Sequence, residues 1–197
     1  MFIAGVMISE NNAQKLKKMG VKDSKLLSEK QREALRKKIE DLAIEYHHVE
    51  IKASDVDEKR KRMSLNELEA LKIAELIEMF KTKPDKIIID LPDPTGEGFI
   101  KRIRKYTHLD GEIVAEHKAD VNYPAVSAAS IIAKTERDRH VKELEKAYNV
   151  VLGSGYQHDP ATVKFLEQHK GEFPDFIRKS WDTYRKTMDK RHQKKLV

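Results

Sequence analysis

The stretch that decides the fold is His117-Lys118-Ala119-Asp120-Val121-Asn122-Tyr123-Pro124-Ala125-Val126-Ser127-Ala128-Ala129-Ser130-Ile131-Ile132-Ala133-Lys134. A short apolar run, Glu112 to His117, reads as a strand leading into it. Pro124 suits the first turn of a helix, where its missing N–H is no loss, and the helical pattern runs to about Tyr148. Ala128, Ala129, Ser130 and Ala133 are small enough for that helix to lie close to a sheet. Upstream, Lys86 to Leu91 is an apolar strand, read as buried on both faces. Two capping boxes, Ser28 with Gln31 and Ser64 with Glu67, open helices. The first extends to about Glu45 with Leu35, Ile39 and Leu42 on one face. The second carries Leu65, Leu68, Ile73, Leu76, Ile77 and Phe80. Phe2 to Ser9 and Tyr46 to Lys52 read as strands, Thr95 to Tyr106 as a basic helix, and residues 160–170 and 174–192 as two closing helices. Strands interleaved with helices make an α/β domain with much parallel pairing.

The chain has 197 residues, which fits one domain with room for an appendage. No run reaches the roughly 18 apolar residues of a membrane helix, and Met1 to Ser9 lacks a basic leader region. With no Cys, a disulfide scaffold, a thiol nucleophile and a zinc finger are excluded, which fits the cytoplasm. The 37% charged content without Cys leans toward a thermophile. Residues 1–175 hold 31 basic and 31 acidic side chains, so the net charge of +6 sits wholly in residues 176–197. Those carry Arg178, Lys179, Arg185, Lys186, Lys190, Arg191, Lys194 and Lys195 against Asp182 and Asp189. Such density suits a phosphate-rich partner, and a solvated helix face is the alternative.

Asp90 ends the run Ile87-Ile88-Ile89. An acid there points into the crevice where α/β sheets bind ligands, unless it caps the next loop. Asp120 follows the next strand and precedes the Pro124 helix. Plain helix capping is the commoner role at that spacing. Two aspartates after neighbouring strands can nonetheless share a hard divalent cation, with positions left for phosphate and water. A two-metal centre wants about three or four carboxylates. Lys22-Asp23-Ser24-Lys25 combines charge and hydrogen bonding suited to backbone phosphates, or is a polar turn before the Ser28 cap. Gly153-Ser154-Gly155-Tyr156 presents a ring on a flexible loop, fit to stack on a sugar or base or to pack at the domain edge. The histidines are dispersed, His47 and His48 point to opposite faces of a strand, and no histidine metal site is expected. Trp181 reads as a packing anchor, and Ser127 and Ser130 lack a nucleophile-elbow context.

Taken in order, Gly20 to Lys25, Leu65-Asn66-Glu67, Ile89-Asp90, His117 to Asp120, Tyr123 to Lys134 and Gly153 to Tyr156 make the chain, from residue 1 to about 188, resemble ribonuclease HII of the archaeal type. The resemblance implies a ribonuclease H-like fold: a mixed five-stranded sheet flanked by helices, with a C-terminal helical segment. Residues 1–155 would form the catalytic domain and 156–197 the helical segment with its basic tail. It implies endonucleolytic cleavage of RNA in RNA/DNA hybrids and of ribonucleotides embedded in duplex DNA, with roles in DNA repair and replication. Mg²⁺ or Mn²⁺ would be the cofactor, gathered by four carboxylates, with an activated water leaving a 3′-hydroxyl and a 5′-phosphate. Asp90 and Asp120 match two of the four. Lys22, Asp23, Ser24 and Lys25 match the loop that grips the strand, and Tyr156 the ring that stacks on the sugar. A monomer is expected. A sliding clamp is a weak further partner, on Gln193-Lys194-Lys195-Leu196 alone.

The chain departs from the pattern at its front. Family members open with a strand ending in Asp-Glu-Ala-Gly-Arg-Gly-Pro. Here Met1-Phe2-Ile3-Ala4-Gly5 looks like their second strand, and no Gly-Arg-Gly occurs. Two carboxylates and the loop that reads the 2′-hydroxyl are missing, as is a central strand. The expectation is a start assigned at an internal Met, or a shortened chain. Weak or absent cleavage by these 197 residues would follow. The alternative is a non-catalytic, hybrid- or duplex-binding fragment of the same fold. Without the first strand, the sheet must either keep unpaired backbone or re-pair.

Overall fold

The computed structural model describes residues 1–21, 24–108, 111–169 and 172–195. Its chain divides into two compact units. The sheet-bearing unit comprises Phe2–Glu50 and Met63–Glu136, and the helical unit comprises Met1, Ile51–Arg62 and Arg137–Val197.

In the sheet-bearing unit, β1 (Phe2–Met7) pairs antiparallel with β2 (Glu45–Glu50), with Phe2 opposite Glu50. Between them lie α1 (Glu10–Lys18), one 3₁₀ turn (Ser24–Leu26) and α2 (Glu29–Leu42). The Ser28 capping box is complete: its hydroxyl accepts from the Gln31 N–H, and the Gln31 side chain returns to the Ser28 N–H. Further along come α4 (Leu65–Glu78), β3 (Lys86–Asp90), α5 (Gly96–Ile103), β4 (Glu112–Glu116) and α6 (Ala119–Asn122). Strands β3 and β4 run parallel, with Asp90 opposite Glu116. Helix α7 (Pro124–Tyr148) begins in this unit. Among the described residues the four strands form two separate two-stranded ladders, β1 with β2 and β3 with β4. The sheet is mixed and small, and β1 does not re-pair with β3.

Two apolar clusters hold these ladders. Leu16, Leu35 and Ile39 meet Ala128, Ile131 and Ile132 of α7, with Ala4, Val6 and Tyr46 of β1 and β2 against them. Ala70, Ala74, Phe99 and Ile103 of α4 and α5 enclose Ile89, with Ile87, Ile113 and Ala115 beside it. Each fully buried Leu or Ile here contributes roughly 1.5–3 kcal/mol of transfer free energy. Gly96 lets α5 approach the sheet, since a Cβ there would stand 2.5 Å from the Ala115 carbonyl oxygen. A buried Arg36 joins α2 to α7 through Glu40 (2.7 Å), the Thr135 hydroxyl (2.9 Å) and Glu136 (2.5 Å).

The helical unit contains α3 (Ala53–Lys59), the second half of α7, α8 (Pro160–Gln168) and α9 (Asp182–Lys195). Leu166, Phe173 and Ile177 form its core, with Phe165, Phe176, Tyr184 and Met188 around them. Asp57 of α3 accepts the N–H groups of Lys179 (2.6 Å) and Ser180 (3.0 Å).

Four local expectations are corrected. Strand β3 is not buried on both faces: Ile89 is buried, Ile88 on the opposite face is half-buried, and Lys86 and Asp90 are exposed. The second capping box is half made. Ser64 accepts from the Glu67 N–H, but the Glu67 carboxylate is taken by the Tyr106 hydroxyl, Arg102 and Lys105. The last helix starts at Asp182 rather than 174, because residues 174–181 turn around the Asp57 bonds. Helix α3 was not anticipated: seven residues with no side-chain cap leave little periodic signal.

Candidate active site

Parallel strands that end level bring the segments leaving them together. Asp90 closes β3 opposite Glu116, the last residue of β4. The Leu91 N–H donates to the Glu116 carbonyl (3.0 Å), which keeps the two exits in step. Beyond β4 the backbone turns at Lys118, which is left-handed at φ 60°, and enters α6. That turn aims the Ala119 N–H at Asp90 Oδ1 (3.1 Å), and the Lys118 N–H also donates to this carboxylate. Asp120, in the first turn of α6, is buried. The Ser127 hydroxyl of α7 donates to the Asp120 carbonyl and fixes the corner.

The Asp90 carboxylate feels the charge of Asp120. The Asp90 carboxyl is pushed above its ordinary range, first by partial burial and second by the negative charge of Asp120. The Ala119 N–H, the Lys25 ammonium and the Lys118 N–H oppose that rise and do not overcome it. Lys25 is thus a cation whose charge acts on Asp90. Its neighbour Ser24 is fully buried, and its hydroxyl meets the Ser130 hydroxyl of α7 at 2.8 Å. Arg32 donates to the carbonyls of Ser24 (3.4 Å) and Leu27 (2.6 Å), holding the 3₁₀ turn from below. Lys22 and Asp23 lie outside the described residues.

Two hard oxygen donors that repel each other fit one divalent cation of the Mg²⁺ type, which takes one or two carboxylates and completes its shell with water and phosphate. They fall short of a two-metal centre. Among the described residues no group of three or more His, Asp or Glu gathers around a common point.

Tyr156 belongs to the helical unit. Its ring is more than half exposed, at 53%, and the Arg137 guanidinium covers one face with its carbon 3.5 Å from the ring centroid. The loop is not flexible as expected, but braced. Glu145 accepts the N–H groups of Leu152 (2.7 Å) and Gly153 (3.0 Å). Asp159 accepts the Ser154 N–H (3.0 Å) and hydroxyl (2.6 Å), and it caps α8 through the Ala161 N–H (2.9 Å). Gly153 and Gly155 have φ of +63° and +65°, and a Cβ on Gly153 would meet Asp159 Oδ1 at 2.5 Å. Those two glycines are therefore needed for the backbone and do not loosen it.

The basic tail is partly committed. Arg185 pairs with Asp182 (2.6 Å). Arg191 donates to the Leu166 carbonyl (2.8 Å) and lies over the Phe173 ring at 4.8 Å. Of the clamp-like Gln193 to Leu196, Leu196 lies outside the described residues. The sequence reading missed Ser130, Arg137 and the conformation of Lys118. Ser130 lacks a nucleophile context in the sequence, and nothing local announces that its hydroxyl seats Ser24.

Residues 1–184 match the family described as Ribonuclease HII. The ribonuclease HII of Methanothrix thermoacetophila is 42% identical over 186 residues, spanning 93% of this chain and 87% of the relative. The crystal structure of ribonuclease H2 from Pyrococcus horikoshii OT3 matches with a TM-score of 0.85 at 36% identity, covering 98% of this chain and 100% of that one. The PCNA:RNase HII complex from Archaeoglobus fulgidus gives 0.83 at 36% identity, covering 94% of this chain and 88% of that one. On identity, coverage and shared fold together, the chain belongs to the ribonuclease HII family, a family of endoribonucleases.

Proposed function

We propose that this chain binds RNA/DNA hybrids, and DNA duplexes carrying an embedded ribonucleotide, for phosphodiester hydrolysis that leaves 3′-hydroxyl and 5′-phosphate ends. The observation that supports the reading is that Asp90 closes β3 level with the end of β4, just before the Asp120 turn, where the charges of Asp120 and Lys25 act on it. Asp90 and Asp120 would hold Mg²⁺ or Mn²⁺ against the scissile phosphate. Such an ion, when bound, supplies positive charge to the phosphoryl oxygens and lowers the pKa of a water. The backbone N–H groups on Asp90 and the Ser127 bond to the Asp120 carbonyl keep the carboxylates oriented. Lys25 and the Ser24 turn, with Lys22 and Asp23, would grip the strand by charge and hydrogen bonds. Tyr156, with Arg137 over one face of its ring, would offer the other face to a sugar of the substrate. The basic segment 156–197 adds sequence-independent attraction to the duplex backbone.

The same reading makes these 197 residues a weak nuclease. Two carboxylates supply half the family's set, and no Gly-Arg-Gly loop is present to sense the 2′-hydroxyl. A cytoplasmic role in repair and replication, acting as a monomer, goes with this proposal. A sliding-clamp partner is supported by the Archaeoglobus fulgidus complex with PCNA.

A metal titration of thermal stability tests the site, because an ion that binds the folded state raises its stability. Mg²⁺ or Mn²⁺ should raise the melting temperature of the wild type, and neither should move that of Asp90→Asn or Asp120→Asn. No metal response in the wild type contradicts the reading. A non-catalytic binding fragment would still bind hybrids after Asp90→Asn and would lose that binding steeply with salt.

A further inference from the structure

Two non-glycine residues among those described have left-handed backbone, Asn149 at φ 51° and Lys118 at φ 60°. Asn adopts this region readily, because its short side chain bonds locally. Lysine has no such compensation, and its Cβ crowds the following carbonyl. The turn itself has an evident use, since it sends the N–H groups of Lys118 and Ala119 onto the Asp90 carboxylate. Glycine would make the same turn without the Cβ penalty. What lysine adds at this position is its charged head. That side chain is exposed and has no partner among the described residues. It stands two positions before Asp120, on the turn that holds Asp90.

The chemistry of the site needs such a group. Asp90 and Asp120 are two acidic groups on the segments that leave β3 and β4, and a nucleic-acid strand brings further negative charge to the same point. A cation carried on the turn that holds Asp90 would offset that charge as the strand approaches. Strain retained at a functional site is a reason to look for what it serves.

We propose that Lys118 is a substrate-binding residue of this site, its ammonium contacting a non-bridging phosphate oxygen of the strand presented to Asp90 and Asp120. The inference rests on the hybrid-binding reading above and assigns that site a phosphate contact outside the Lys22 to Lys25 loop. Lys118 thereby has two separable roles. Its backbone orients Asp90, and its side chain meets the substrate.

The test is binding of a fluorescently labelled RNA/DNA hybrid, without divalent metal, across a series of NaCl concentrations. The wild type is compared with Lys118→Gly, Lys118→Met and Lys118→Arg. Lys118→Gly keeps the turn and removes strain, so its melting temperature should equal or exceed the wild type's. Both Gly and Met variants should bind more weakly, with the slope of log K against log salt shallower by about one phosphate contact. Lys118→Arg should keep the slope. A Gly variant that binds with wild-type affinity and slope overturns the proposal and leaves Lys118 only its backbone role. Wild-type protein that fails to bind the hybrid at all overturns the hybrid-binding reading along with it, so the two failures are distinguishable.

Discussion

The hydrogen bond between Ser24 and Ser130 joins two distant stretches of the chain, and removing either hydroxyl should expose the cost of separating them. The oxygens are 2.8 Å apart across 106 positions. Ser24 is fully buried, whereas Ser130 is half-buried. Ser130→Ala strands the Ser24 hydroxyl away from water, which costs about 2 kcal/mol. Ser24→Ala leaves Ser130 where water can reach it, which costs about 1 kcal/mol. The double variant removes both groups, so it should be less destabilised than the two single losses combined, with a coupling energy of about 1 kcal/mol. Urea denaturation of the four proteins measures this, with the slope m unchanged across the set. Losses that add to within about 0.3 kcal/mol would show that the hydroxyls do not interact, and refute the account of how the Lys25 turn is seated. The same single variants should weaken hybrid binding, because Lys25 follows Ser24 directly.

Three further outcomes follow from the geometry. Asp159 has its carboxyl held below the ordinary range, first by the Ser154 hydroxyl and then by backbone N–H groups. The stability it contributes is present above the ordinary Asp pKa, about 3.9, and is lost as pH falls from there through the lower folded value. Protection from hydrogen exchange at Ser154 and Ala161, taken relative to the unfolded rate at each pH, should fall in that acid window and stay constant between pH 5 and 7. Arg137→Met should cost about 1 kcal/mol in urea denaturation by removing the cation over the Tyr156 ring, with Arg137→Lys recovering part, whereas an unchanged midpoint would mean the stacking contributes nothing. Gly96→Ala should lose about 1–3 kcal/mol despite alanine's better helix propensity, since its Cβ would meet the Ala115 carbonyl oxygen at 2.5 Å. A more stable Gly96→Ala protein would disprove the close approach of α5 to β4.

Much of this molecule was legible because local signals agreed with tertiary needs. Pro124 starts α7 where the sequence says it should, and the alanine-rich face that follows it is the face that packs on Leu35 and Ile39. Ser28 and Gln31 make their reciprocal cap. Asp90 and Asp120 follow neighbouring strands that run parallel and end level, an arrangement the strand-helix-strand order already implies. What escaped the sequence depends on long-range partners. Glu67 leaves its cap for Tyr106, almost forty positions away. Asp57 fixes the turn at Lys179 and Ser180 across more than a hundred. Arg137 looks like one more solvated charge between Glu136 and Asp138 until the Tyr156 ring is seen beneath it. The left-handed backbone of Lys118 gave no warning, since lysine is not a residue that advertises it.

Asp90 and Asp120 are proposed as two of the four carboxylates of a ribonuclease HII site. The most direct measurement is cleavage of a DNA duplex containing one ribonucleotide, in Mg²⁺ and in Mn²⁺. It should be run with this chain and with the same chain preceded by a strand ending in Asp-Glu-Ala-Gly-Arg-Gly-Pro. Little or no incision is expected from the first and metal-dependent incision from the second, abolished by Asp90→Asn. Efficient cleavage by the 197 residues alone, or incision that survives Asp90→Asn, would contradict it.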